Sequence, residues 1–112
     1  MKTKVLFVED EERGVFPYFH ALEKIGFECT LVKDGDEVIN KLRQEKFDLI
    51  SIDITFPPGN LLGDKVEPTK AGLKLLEMIR NGRIPNCDPA IKVIVLTAMN
   101  DKITENKVKV PK

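Results

Sequence analysis

Carboxylates stand at the C-terminal ends of two short apolar runs: Glu9-Asp10-Glu11-Glu12 follows Val5-Leu6-Phe7-Val8, and Asp53 follows Leu49-Ile50-Ser51-Ile52. Where helices alternate with parallel strands, the ends of neighbouring strands meet, and oxygen ligands gathered there suit one divalent cation. A third run, Val93-Ile94-Val95-Leu96, ends in Thr97, whose hydroxyl would stand beside the same pocket if its strand neighbours the one ending in Asp53. An acidic run alone is equally well explained as a solvated helix N-terminus favoured by the helix dipole. Its pairing with Asp53 and Thr97 at strand ends is what points to a cation-dependent acidic pocket.

The elements that must position these groups follow from periodicity. Lys4 to Val8 reads as a buried strand, and Val15, Phe16, Phe19, Leu22 and Ile25 recur at helical spacing up to Gly26, a C-terminal stop. Pro17 fits only near the start of that helix. Phe27 to Val32 is a second strand, and Asp36 opens a helix striped by Val38, Ile39 and Leu42. Leu49 to Asp53 is continuously apolar, as a strand covered on both faces should be. After a long loop marked by Pro57-Pro58-Gly59 and Gly63-Asp64, Thr69 caps a helix over Lys70 to Asn81, with Leu73, Leu75, Leu76 and Ile79 as its apolar positions. Ile91 to Leu96 is a fourth strand, and Lys107 to Val110 a candidate fifth. This alternation predicts an α/β fold with a parallel sheet and helices on both faces.

Composition narrows the class. The chain has 112 residues, enough for one domain and its core, so residues 1–112 are taken as one unit. Lys+Arg and Asp+Glu number 18 each, which gives no electrostatic case for direct nucleic-acid binding. The N-terminal apolar run is four residues followed at once by acids, neither a secretory segment nor a membrane span, so no membrane partner and a cytoplasmic location are expected. Cys29 and Cys87 lack zinc-like spacing and are read as reduced thiols, the first in a strand and the second in a loop. His20 has no nucleophile beside it in the sequence and reads as a plain helical position.

Four separated segments resemble the response-regulator receiver domain, the phosphoacceptor of two-component signalling. Val5 to Glu11 is similar to its first strand with the acidic pair, and Phe47 to Pro57 to its third strand, with Asp53 at the phosphorylated position. Gly72 to Arg80 is similar to its third helix, and Ile91 to Ala98 to its fourth strand with the switch threonine. The resemblance implies a flavodoxin-like, doubly wound, five-stranded sheet in the order 2-1-3-4-5. It implies that Asp53 accepts a phosphoryl group, and that Asp10, Asp53 and the Thr55 backbone carbonyl bind Mg²⁺, or Mn²⁺ as a substitute, with Glu9 acting through water. Thr97 would be the switch hydroxyl, with Ala98 leaving access beside it and Thr55 and Met99 at the positions that tune phosphate loss. The chemistry is coherent, because bringing a phosphoryl group to a carboxylate requires a cation and hydrogen-bond donors to offset like charge.

Two departures stand out. The loop between Pro57 and Gly72 is about ten residues longer than the family's usual one, and loops of this length in compact domains are either functional or tolerated surface insertions. The C-terminal part, Met99 to Lys112, is short for a final strand and helix, and no aromatic follows Phe56. Lys109 and Lys112 remain as two candidates for the phosphate-contacting lysine, without the family's Lys-Pro order.

The leading reading is therefore a receiver that catalyses only its own phosphorylation and dephosphorylation. Its expected partners are a sensor histidine kinase or phosphotransfer protein and a downstream protein target. A pseudo-receiver interaction module that is never phosphorylated is the alternative. A dehalogenase-like phosphohydrolase is disfavoured by Thr55, where that chemistry uses a second acid. A shortened end without its final helix would leave apolar surface beside the first helix, so a homodimer covering that face is expected, and light scattering should show a mass that rises with concentration.

Overall fold

In the computed structural model, which describes residues 2–63 and 65–96, the apolar runs form four parallel strands. These are β1 (Lys4–Val8), β2 (Glu28–Val32), β3 (Leu49–Asp53) and β4 (Lys92–Leu96). Helices α1 (Glu12–Lys24), α2 (Gly35–Gln44) and α3 (Ala71–Arg80) connect them, the last preceded by a 3₁₀ turn at Pro68–Lys70. The sheet order is β2-β1-β3-β4, the first four members of the expected order. The fifth strand expected at Lys107 to Val110, and the shortened C-terminal part with its missing helix, lie outside the described residues.

Alternation along β1 and β3 sends side chains to two unequal cores. Leu6, Val8, Ile50 and Ile52 join Val38, Ile39 and Leu42 of α2 and Leu75 and Ile79 of α3 in the larger cluster. Val5 and Phe7 meet Val15, Phe19 and Leu22 of α1 on the opposite face, where the Phe7 and Phe19 ring centroids are 5.2 Å apart. Both strands are covered on both sides, which is why they read as unbroken apolar runs.

Helix boundaries depart from the sequence expectation where caps and close contacts intervene. The Asp34 carboxylate accepts the Glu37 N–H at 2.8 Å, so α2 opens at Gly35 rather than Asp36. Pro17 lies well inside α1 instead of near its start. It is exposed there, so the Arg13 carbonyl that loses its N–H partner lies on a helix with access to water. Thr69 does not cap α3 but sits within the 3₁₀ turn. In α3, Ala71, Gly72, Leu75 and Ile79 turn inward while Leu73 is 54% exposed, correcting its expected place on the sheet-facing stripe. The cause is Gly72: a Cβ there would lie 2.6 Å from the Asp53 carbonyl oxygen, so the helix must press this position against β3, which rotates Leu73 outward.

The long loop after β3 is built into the core rather than laid over it. Phe56 and Leu62 are each 1% exposed and belong to the larger cluster, and Gly35 donates its N–H to the Pro57 carbonyl at 2.8 Å. Leu62→Ala is therefore expected to cost about 2–4 kcal/mol in urea unfolding, as for a strand residue, although it lies in a loop. Leu73→Ala on a regular helix should change stability by less than about 0.5 kcal/mol.

Candidate functional site

The strand order reverses direction from β1 between β2 and β3, and open α/β sheets bind ligands at such a point, beyond the strand C-termini. Val8 pairs with Ile52, so the next residues, Glu9 and Asp53, emerge level with each other. The Glu9 N–H continues the β1–β2 ladder by donating to the Val32 carbonyl at 2.9 Å, and its carboxylate accepts the Glu11 N–H at 3.1 Å. Glu9, Asp10 and Asp53 thereby bring one carboxylate oxygen each within 4.8 Å of one another. Glu12, the last of the acidic run, is drawn into an ion pair with Lys33 and is not part of the cluster.

Asp53 is 4% exposed, and its Oδ1 is buried without a hydrogen-bond partner. Such an atom is costly on its own, since a buried carboxylate is tolerable only when its charge or its lone pairs are met. Burial raises the Glu9 pKa to about 7; the Glu11 amide opposes the rise, and the neighbouring Asp53 and Asp10 carboxylates add to it. Burial also raises Asp53, while its contact with Glu9 and the backbone amides of Thr55 and Ile54 pull it down. The contact acts in opposite directions on the two groups, raising Glu9 and lowering Asp53, and the two titrate as a pair. Three close carboxylates and an unpartnered buried oxygen are a donor set that fits a hard divalent cation such as Mg²⁺, which takes oxygen ligands and offsets their mutual repulsion.

Glu9, Asp10 and Asp53 are thus brought together as the strand ends implied. Thr55 is exposed, two residues beyond Asp53 at the start of the long loop. Thr97, Ala98, Met99, Lys109 and Lys112 lie outside the described residues. The sequence reading did not single out Gly72, whose N–H donates to the Ile54 carbonyl at 2.9 Å and whose bare Cα lets α3 touch the backbone of Asp53 and Ile54. Its signal was a glycine in the first turn of a helix that would be better formed by alanine.

The model of the response regulator receiver domain matches residues 5–110. The alkaline phosphatase synthesis transcriptional regulatory protein PhoP of Bacillus subtilis is 39% identical over 57 residues, 51% of this chain and 24% of that protein. The chain therefore spans about a quarter of that relative's length. The Francisella response regulator 1452 receiver domain superposes with a TM-score of 0.67 at 25% identity, covering 95% of this chain and 73% of that one. MaeR, a response regulator bound to beryllium trifluoride, gives 0.63 at 26% identity, covering 93% and 74%. Among the described residues no helix is long and apolar enough to cross a membrane.

The electrostatics of the cluster set a pH dependence. Glu9 and Asp53 hold protons more tightly when folded than when unfolded, so their contribution is fully present below the ordinary carboxylate range and is lost as pH rises through about 7. The urea midpoint of metal-free protein should fall between about pH 5 and pH 8, and Glu9→Gln should flatten most of that fall. Added Mg²⁺ should recover stability mainly at the upper end, because ligands must be deprotonated to bind.

Proposed function

The chain belongs to the response regulator receiver domain family, and we propose that it accepts a phosphoryl group on Asp53 and thereby changes the surface it offers to a protein target. The observation that carries this reading is the almost wholly buried Asp53 carboxylate brought within 4.8 Å of the Glu9 and Asp10 carboxylates at the strand ends. The position of Asp53 at the mouth of the sheet, level with Glu9 and one residue beyond the Val8–Ile52 pair, fixes its backbone for in-line attack.

The donor is a phosphohistidine of a sensor histidine kinase or phosphotransfer protein, with the P–N bond breaking as the bond from phosphorus to an Asp53 carboxylate oxygen forms. When bound, Mg²⁺ or Mn²⁺ supplies the positive charge that offsets repulsion between phosphoryl oxygens and carboxylates, held by Asp10, Asp53, the Thr55 carbonyl and, through water, Glu9. MaeR, which is similar in fold and sequence, binds beryllium trifluoride, a compound with the shape of a phosphoryl group, and this supports the same chemistry here. Thr97 follows β4 directly in the sequence, and Leu96 pairs with Asp53, which supports the Thr97 hydroxyl as the donor to the new acyl phosphate. Lys109 and Lys112 are the two candidates for a further contact. The chain catalyses only its own phosphorylation and dephosphorylation, with phosphate leaving later by attack of water.

Intact-protein mass after incubation with acetyl phosphate and Mg²⁺ tests the reading. One added phosphoryl group, about 80 Da, is expected on the wild type and none on Asp53→Asn. Asp10→Asn should lower the rate of adduct formation by at least about tenfold at low Mg²⁺. A folded wild type that gains no mass would establish the alternative, a pseudo-receiver that acts through binding alone.

A further inference from the structure

The long loop is held by a charged clamp that the chemistry above does not use. Asp36, the second residue of α2, accepts the Asn60 N–H at 2.8 Å and the Leu61 N–H at 2.7 Å on a single carboxylate oxygen, Oδ1. Bonds from amides to an ionised carboxylate are about twice as strong as neutral ones. Gly59, at φ +66°, fits beneath it, since a Cβ there would lie 2.6 Å from the carboxylate. Gly35 completes the junction: a Cβ on it would lie 1.9 Å from the Pro58 carbonyl oxygen, and its own N–H binds the Pro57 carbonyl.

This clamp lies downstream of the acceptor along one short stretch of backbone. At the near end, the Ile54 carbonyl accepts the Gly72 N–H at 2.9 Å. At the far end, the Pro57 carbonyl is held by Gly35, and residues 58–61 are turned back onto α2 by Asp36. Between them Phe56 is buried and the exposed Thr55 side chain gains little from packing, so the Thr55 peptide is oriented by its amide's bond to the Asp53 carboxylate together with the two anchors. With Asp36 removed, residues 58–61 lose their attachment to α2, and the Gly35–Pro57 bond beside them becomes open to water.

We propose that Asp36 is a positioning residue for the phosphoacceptor site, fixing through the loop junction the Thr55 peptide that follows Asp53. The proposal rests on the functional reading above for its consequence, since the Thr55 carbonyl is one of the groups assigned to the cation. A backbone ligand has no side-chain torsion with which to correct a misplacement. Its orientation must come from whatever holds the chain on either side, and here that includes a carboxylate on a different helix.

The test uses the full chain as Asp36→Ala and Asp36→Asn, with two readouts: the ¹³C resonance of the Thr55 carbonyl in metal-free protein, and Mg²⁺ affinity by titration calorimetry. Asp36→Ala should move the Thr55 resonance and weaken Mg²⁺ binding about tenfold. Asp36→Asn keeps an oxygen that can accept both amides and should recover to within about threefold of wild type. An unmoved Thr55 resonance in Asp36→Ala, or wild-type Mg²⁺ affinity, overturns the proposal. If Asp36→Ala does not fold, Gly59→Ala decides, since its Cβ would lie 2.6 Å from the Asp36 carboxylate and displace it, and identity of that variant with wild type in both readouts overturns the proposal. A wild type that binds no Mg²⁺ refutes the metal part of the functional reading and leaves the Thr55 resonance to judge Asp36.

Discussion

Burying a carboxylate among carboxylates is the constraint on which the arrangement depends. Asp53 is almost wholly buried at the end of β3, with Glu9 and Asp10 beside it. Nothing in ordinary packing favours such a cluster, because desolvation and like charge both oppose ionisation. In the metal-free protein burial and the neighbouring carboxylates raise the Glu9 pKa to about 7, and a cation offers the other way to meet the same repulsion. The cost is carried by a sheet whose central strands are covered on both faces, so that the strand ends cannot spread apart to relieve it.

The backbone next to the cluster is fixed by two glycines from different helices. Gly72 lets α3 approach β3 so closely that its N–H reaches the Ile54 carbonyl, and Gly35 lets α2 receive the Pro57 and Pro58 carbonyls. Any larger residue at either place would push a helix away from the segment that carries Asp53. These contacts explain why the rotation of α3 follows backbone proximity rather than its most apolar stripe. They also explain how the long loop stays in register: Leu62 seals it to the core while the α2 N-terminus grips its far side.

Much was legible in the residues alone. Period-two and unbroken apolar runs marked the four strands, and β1 and β3 appear with the boundaries read from the sequence. The acids at their ends, with a parallel topology, were enough to place Glu9, Asp10 and Asp53 in one pocket, since parallel strands must present their C-termini on the same side. Only tertiary contact decided the rest. That Leu73 faces water, that Leu62 belongs to the core and that Asp36 grips the loop each depend on which backbone approaches which, and a linear pattern holds no record of such distances. The raised Glu9 pKa was hidden for a related reason: a side-chain type specifies a charge, but the dielectric around it and the carboxylates facing it exist only once the strands have come together.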